Sequence, residues 1–375
     1  MHLMTTNQAA WLKARFAPLQ VAPAPFPEAR PNEIVVRVRA VAVNPLERLI
    51  QKVGGFMYGW LTYPAVIGAD LAGDVVAVGE GVTRFKAGDR VLAMAVGAEK
   101  SRNRASEGAF QTYAVVFEHL TSAIPDTLAY EDAAVLPLGL STAASGMFQQ
   151  DFLALDPPRS GAVPNGKTVL IWGGSTSVGS NAIQLAVNAG YTVVTTASPR
   201  NFDYVRGLGA SHVFDYSSRT VRRDIKRVLK KARFAGAVAI GAGSAAACVD
   251  IASACRGKKF VAIATFPVDF DSVPERTPPL GVALRVMPQM IPAMLGLNIS
   301  AALGGVKTRF IWGSSLMDNE VSRHIFQDFL PDALASGAYV TAPPALVTGE
   351  GLAEIQPALE RLKAGVSAQK IVVRI

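Results

Sequence analysis

The stretch TVLIWGGSTSVG, residues 168–179, decides how this chain folds. Its first five residues are apolar or β-branched, which is typical of a buried strand. The glycine-rich turn after them leads into a helical pattern that runs to about Ala189, where Gly190 is placed to cap the helix. A second strand pattern follows at 191–197. This order of strand, turn, helix and strand is the context that a dinucleotide fingerprint requires.

The turn predicts a pyrophosphate site, because a helix start offers free N–H groups and the positive end of the helix dipole. Read as G-x-G-x-x-G from Gly174, the pattern has Thr176 in place of its middle glycine. A side chain there holds the backbone farther from a pyrophosphate, but hydroxyl groups could bond the phosphate instead. The predicted contacts are Gly174, Ser175, Thr176, Ser177 and Val178. The alternative is an ordinary glycine-rich turn of an α/β fold.

The end of the second strand indicates which dinucleotide is bound. An acid at that point, about 20 residues beyond the fingerprint, usually grips the ribose of NAD. This chain has Ser198, Arg200 and Asn201 there, and no acid before Asp203. Hydroxyl, guanidinium and amide groups donate to phosphate oxygens, whereas a carboxylate repels them. The sequence therefore predicts NADPH as the cofactor; the alternative is that Ser198 or Asn201 only caps the next helix.

Strand and helix patterns alternate around this motif, which predicts a parallel sheet with crossover helices. The predicted strands cover 168–172, 191–197, 212–215, 236–240, 259–265 and 309–312. Residues 1–145 differ, because strand patterns such as Ile34–Val41 alternate there with glycine turns. The fold class is α/β, with a β-rich domain beside a doubly wound parallel-sheet domain.

Length and composition agree with a globular protein of two domains. The chain has 375 residues, of which 50% are hydrophobic and 18% charged, and its two cysteines cannot form a disulfide framework. The formal net charge is +8, and the segment 219–233 carries eight basic residues against one acid. This segment is either the solvated face of a surface helix or a docking site for an acidic partner, such as an acyl-carrier protein or the phosphates of a thioester. Nucleic acid is a poor fit, because no aromatic platform interleaves the charges.

The most apolar stretch is Leu280–Gly305, but it contains Arg285, two prolines and an asparagine, which disfavour a membrane span. We expect a buried helix pair or an apolar pocket wall there; core packing and a dimer contact are further alternatives. The first 19 residues lack the apolar core of a signal peptide. With few cysteines, these features predict a cytoplasmic protein without a membrane partner, either a monomer or a homodimer.

Several further motifs resemble the medium-chain dehydrogenase/reductase superfamily over nearly the whole chain. The most specific is YPAVIGADLAG at 63–73, continued by VGEGV at 78–82 and FKAGDRV at 85–91. VNP at 43–45, GAFQTY at 108–113 and LPLGLSTA at 136–143 resemble the quinone-reductase and enoyl-reductase branch. SPRNFD at 198–203 and VFDY at 213–216 are similar to the trans-acting enoyl reductases that serve polyketide synthases.

The resemblance implies a GroES-like catalytic domain at 1–145, completed by 318–375, and a Rossmann NADP-binding domain at 146–317. It places Asn44 and Thr142 near the nicotinamide or the substrate. Tyr58 lies in a loop where some enoyl reductases carry a working tyrosine, although structural packing is its alternative role. Tyr216, Gly241 and Thr265 are expected on the nucleotide side, and Val366 and Ser367 in a segment that closes over the cofactor.

The resemblance also implies a site without metal. Zinc-dependent relatives carry a cysteine, a histidine and a cysteine or acid where this chain has Asn44, Ala69 and Leu138. The cysteine-rich loop that holds a structural zinc is missing, and the four histidines form no spaced ligand set.

The implied activity is transfer of hydride from NADPH to the β-carbon of an enone, an enoyl thioester or a quinone. The substrate's own carbonyl then accepts the charge, so a Lewis acid is less necessary than in alcohol oxidation. One-electron reduction of quinones is an alternative. A weakly catalytic NADPH-binding protein that acts as a sensor or a structural partner is another, because no acid or base stands out in the sequence.

Overall fold

The structure is a computed structural model that describes residues 6–375. The chain forms two units. The first contains the described residues up to Leu138, together with Phe270–Arg285 and Pro344–Ile375; the second contains Gly139–Asp269 and Val286–Pro343.

The N-terminal part of the chain is dominated by strands. Its elements are β1 (Asn7–Leu12), β2 (Leu19–Ala24), β3 (Glu33–Ala42), α1 (Pro45–Met57), β4 (Ala65–Val66), β5 (Asp70–Val78), β6 (Arg90–Met94), β7 (Tyr113–Phe117), β8 (Thr121–Ala123), α2 (Tyr130–Ala133) and α3 (Pro137–Phe148).

The middle of the chain alternates strands with helices. Its elements are β9 (Lys167–Trp172), α4 (Ser177–Asn188), β10 (Thr192–Ala197), α5 (Phe202–Gly207), β11 (His212–Asp215), α6 (Val221–Leu229), β12 (Arg233–Ala239), α7 (Ser244–Ser253), β13 (Phe260–Ile263), α8 (Pro279–Gly304) and β14 (Lys307–Phe310).

The C-terminal part is mixed. Helix α9 (Val321–Arg323) continues through a π-helical turn at His324–Phe329 into α10 (Leu330–Ser336). Then follow β15 (Ala345–Glu350), α11 (Ile355–Lys363) and β16 (Lys370–Arg374).

The first unit is built on a mixed sheet in the order β15-β16-β3-β5-β6-β8, with β7 also paired to β3, and on a small sheet β2-β1-β4. Strand β3 is the centre, because it pairs with β5, β7 and β16. Its antiparallel register with β16 sets Val372 opposite Ala42. The last strand of the chain is thereby held beside the residues that follow β3, where α1 begins.

The second unit is a six-stranded parallel sheet in the order β11-β10-β9-β12-β13-β14. This is the doubly wound order, in which the chain reverses direction across the sheet between β9 and β12 and leaves a crevice at their carboxyl ends. The six predicted strands are confirmed, with ends shifted by up to three residues. The predicted helix cap is confirmed as well, because Gly190 has a φ of +78° and a Cβ there would lie 2.2 Å from the carbonyl oxygen of Val163.

The unit boundaries differ from the predicted domain boundaries at 145/146 and 317/318. Helix α3 passes into the second unit at Gly139. Residues 318–343 also belong to the second unit, because the Tyr339 hydroxyl donates to Asn181 Oδ1 at 2.5 Å and Gln184 Nε2 donates to the carbonyl of Val340 at 3.0 Å. These contacts tie the segment to α4, and sequence periodicity carries no information about them.

The apolar stretch 280–305 forms one continuous helix, α8, rather than the expected buried pair. Burial covers only 11% of its most apolar window, and Leu280, Leu284 and Leu303 are 72%, 69% and 86% exposed. Among residues 6–375 it is the one helix whose length and composition would allow a membrane crossing, a test that soluble helices also pass. The expectation of a buried helix pair is therefore wrong.

Candidate functional site

The glycine-rich turn lies between β9 and α4, at the carboxyl edge of the parallel sheet. Thr176 is the N-cap residue of α4. Its hydroxyl donates to the carbonyl of Gly173 at 2.8 Å and accepts from the N–H of Gly179 at 3.0 Å. The threonine hydroxyl that the sequence analysis assigned to phosphate is thus engaged in capping. The N–H groups of Ser177 and Val178 lie in the first helical turn, where no intrahelical acceptor exists.

Two glycines shape this turn. A Cβ at Gly174 would lie 2.2 Å from Thr195 Oγ1, and a Cβ at Gly179 would lie 2.1 Å from the carbonyl oxygen of Gly173. Both positions therefore require glycine, so that turn, helix and second strand can pack together. The turn fits a pyrophosphate, since α4 presents free N–H groups at a positive helix end.

The segment 198–201 follows β10 as a short 3₁₀ turn, Pro199–Asn201. Arg200 is exposed, and within the described residues its side chain has no ion pair or hydrogen bond. Ser198 Oγ lies 3.4 Å from the hydroxyl of Tyr216, whose side chain is also exposed. The next acid along the chain, Asp203, pairs with Arg206 at 2.9 Å. The structure thus places Ser198, Arg200 and Tyr216 at one edge of the sheet. The guanidinium of Arg200 has no acidic partner there among the described residues.

Gly241 and Thr265 follow β12 and β13 at this edge of the sheet and contact each other. The N–H of Gly241 donates to Thr265 Oγ1 at 2.8 Å, and Ser244 Oγ donates to the Gly241 carbonyl at 2.6 Å. Gly241 has a φ of +99°, which favours glycine. The two predicted nucleotide-side residues are therefore neighbours, at the ends of β12 and β13.

The other predicted residues are distributed over both units. Asn44 precedes α1 and Tyr58 ends it, in the first unit. Thr142 lies on α3 in the second unit. Val366 and Ser367 belong to the turn between α11 and β16 in the first unit. Their proximity to a nicotinamide remains a prediction.

Asn44 belongs to a buried polar cluster whose other members the sequence analysis missed. We call the four residues Asn44, Glu47, Asp70 and Lys370 the buried cluster; each is at most 5% exposed. Asn44 Nδ2 donates to Asp70 Oδ2 at 3.0 Å and to Glu47 Oε1 at 3.2 Å. Lys370 Nζ donates to Asn44 Oδ1 at 2.6 Å and to Asp70 Oδ2 at 2.7 Å. The sequence signal was a charged residue at the first position of a largely apolar strand, which both Asp70 and Lys370 display.

The backbone around the cluster completes its hydrogen bonds. Glu47 accepts from the N–H groups of Asn44 and Ala69, at 2.7 and 3.0 Å, and Asp70 Oδ1 accepts from the N–H of Leu138 at 2.6 Å. Burial, with the negative charge of Asp70 second, raises the pKa of Glu47 to about 7. Two carboxyl groups and one ammonium group therefore share a site in which the carboxyl group of Glu47 keeps its proton up to a pH of about 7.

The structure brings Asn44, Ala69 and Leu138, the positions that the resemblance equates with the ligands of zinc-dependent relatives, around Asp70 and Glu47. Ala69 and Leu138 have no donor atom in their side chains. Both amide hydrogens of Asn44 and the ammonium of Lys370 point into the cluster, a donor set unsuited to a cation. Among residues 6–375, no group of three histidine, cysteine or acidic side chains could hold a metal ion.

Tyr58 is 1% exposed, and burial raises the pKa of its hydroxyl far above the ordinary value. Its ring lies 5.0 Å from that of Trp60, in a tilted arrangement. A proton donor must reach the substrate, so this burial favours the packing role over the catalytic one.

The chain is similar to known proteins both in sequence and in fold. Residues 30–126 match the alcohol dehydrogenase GroES-like domain. The chain is 51% identical to the dehydrogenase pigH of Monascus ruber, with 99% of this chain and 100% of that protein covered. It is 36% identical to the trans-enoyl reductase himH of Aspergillus japonicus, with coverages of 98% and 97%. An alcohol dehydrogenase superfamily protein from Novosphingobium aromaticivorans has the same fold, with a TM-score of 0.73, 23% identity and coverages of 99% and 100%.

Proposed function

From the premise that the chain belongs to the medium-chain dehydrogenase/reductase superfamily and is an oxidoreductase related to its enoyl reductases, we propose that it is a zinc-independent, NADPH-dependent reductase of activated C=C bonds. Its substrates would be enoyl thioesters or enones, and NADPH bound at the glycine-rich turn would supply the hydride. The observation that carries the choice of NADPH is the exposed Arg200 without a carboxylate partner in the described chain.

The residues of the second unit divide the work of holding the dinucleotide. The N–H groups at the start of α4 would bind the pyrophosphate, with Ser175 as a further hydroxyl donor. Arg200 and Ser198 would hold the 2′-phosphate, because a guanidinium forms charge-assisted bonds to phosphate oxygens. Tyr216, Gly241 and Thr265 would line the nucleotide.

Independence from zinc is supported by the chemistry of the three ligand positions. A methyl group at Ala69 and an isobutyl group at Leu138 cannot bind a metal, and the amide of Asn44 is held by Glu47, Asp70 and Lys370. Reduction of a conjugated C=C is compatible with this, since the charge that develops on the substrate oxygen needs only hydrogen-bond donors.

The direct test is steady-state oxidation of NADPH with enoyl thioesters, small enones and quinones, before and after treatment with a chelator. We expect turnover with the first two classes and no effect of the chelator. Turnover with quinones alone, accompanied by a one-electron-reduced quinone radical, would favour the alternative reductase. Tight binding of NADPH without its oxidation by any substrate would favour a sensor.

The basic segment 219–233 supports a second proposal, an acidic protein partner that presents the acyl thioester. Arg219, Arg222 and Lys230 are on or beside α6 and form no ion pair within the described residues, whereas Lys226 pairs with Asp250. Replacing Arg222 and Lys230 by glutamate should raise KM for a carrier-bound substrate and leave KM for a small free thioester unchanged. An equal change for both substrates would contradict docking.

A further inference from the structure

The buried cluster holds the Asn44 amide in one of its two orientations, and electrostatics decides which. Nδ2 faces the oxygens of Asp70 and Glu47, while Oδ1 faces the ammonium of Lys370 at 2.6 Å. A flip of the amide would set Oδ1 against the carboxylate of Asp70 and the N–H groups against the ammonium of Lys370. Both of these contacts, which are attractive in the observed orientation, would then become repulsive.

Lys370 supplies the positive charge that stabilises this arrangement in a buried site. Its side chain is 5% exposed, and it is the cation that bonds Asp70 within the described chain. It is also the first residue of β16, three positions after Ser367. The side chain of Lys370 therefore connects the Asn44 amide with the start of β16. The turn just before this strand is the one predicted to cover the cofactor.

We propose that Lys370 is a positioning residue, which orients the Asn44 amide and anchors the turn containing Val366 and Ser367. The relevance of this role to catalysis rests on the proposed function, in which Asn44 lies near the nicotinamide or the substrate. The placement of the amide itself does not depend on that function.

The first experiment observes the amide directly. The ¹H–¹⁵N resonances of the Asn44 side chain would be assigned by their absence in Asn44→Ser, in protein labelled with ¹⁵N-asparagine. Because Lys370→Met alone leaves two buried carboxyl groups without a cation, the comparison uses Lys370→Met combined with Asp70→Asn, against Asp70→Asn alone. Broadened or doubled resonances are expected only in the double variant, and identical Asn44 signals in the two variants would overturn the proposal.

The second experiment separates positioning from structural support. The double variant should regain most of the melting temperature that Lys370→Met loses, yet its kcat should remain at least tenfold below that of Asp70→Asn. Lys370→Arg should retain most of both. Recovery of kcat together with the melting temperature would reduce Lys370 to a structural role. If the wild type reduces no substrate of the panel, the proposed function fails, while the resonances of Asn44 still decide the placement.

Discussion

The segment 198–201 and the buried cluster hold their cations in opposite ways. Arg200 is exposed after β10 and has no carboxylate partner among residues 6–375. Lys370 is buried and bonded to both Asp70 and Asn44. A positive charge in water costs little to leave unpaired, so the exposed one is available to a ligand. A buried charge requires its partners in the folded protein, so the second one is part of the scaffold.

The largest expected effect comes from removing the counter-charge of the buried cation. Asp70→Ala leaves the ammonium of Lys370 without its carboxylate and should lower the free energy of unfolding by about 3–5 kcal/mol, measured by urea denaturation. The control is Glu320→Ala, which removes an exposed pair with Arg323 and should cost at most about 1 kcal/mol. Equal losses in the two variants would remove the distinction between the regions.

The next effect is a pH dependence of stability that originates in the buried cluster. The pKa of Glu47 is raised to about 7 from 4.5, so the folded protein binds this proton more tightly than the unfolded chain does. The stability that Glu47 contributes is therefore fully present below pH 4.5 and is lost as pH rises through about 7. The loss should amount to about 3 kcal/mol, since one pKa unit corresponds to roughly 1.4 kcal/mol.

Urea denaturation at pH 5 and pH 8 measures this dependence. Glu47→Gln should flatten the change in unfolding free energy between the two pH values, whereas the exposed Glu320→Gln should leave it as in the wild type. If Glu47→Gln kept the wild-type change in unfolding free energy between pH 5 and pH 8, the proton would have to be bound by another group.

A smaller effect is expected at the exposed cation, and on binding rather than on stability. Arg200→Ala should weaken NADPH binding by about 1.5–3 kcal/mol, the range for hydrogen bonds to charged groups, and leave NADH binding unchanged. Fluorescence titration with both dinucleotides measures it. Arg206→Ala serves as the matched control, because Arg206 already pairs with Asp203. Equal weakening of both dinucleotides would refute the 2′-phosphate assignment.

The smallest effect is expected at Tyr58. Since this side chain is 1% exposed, Tyr58→Phe should change kcat for enone reduction less than twofold. A loss of tenfold or more, with an unchanged melting temperature, would restore Tyr58 as the proton donor.

The glycine-rich turn and the segment 198–201 were predictable, because their parts follow each other along the chain. Strand, glycine turn and second strand lie within 168–197, and Arg200 comes three residues later. Thr176 shows the limit of that prediction. Its hydroxyl can bond a phosphate or cap α4, and only the position of the Gly179 N–H shows that it caps.

The buried cluster was less predictable, because two of its members lie far from Asn44 in the chain. Glu47 is three residues from Asn44, but Asp70 and Lys370 are 26 and 326 residues away. The apolar helix α8 was mistaken for a buried pair because composition reports the tendency of side chains to leave water and not whether a neighbour covers them.

The sequence by itself determined which segments form the six parallel strands, where the glycine turn lies and that the end of β10 is basic, because each rests on local periodicity or on residues close together in the chain. The tertiary structure alone decided that Lys370 meets Asp70 and Asn44. That contact depends on the antiparallel pairing of β16 with β3, a long-range register that no local pattern encodes.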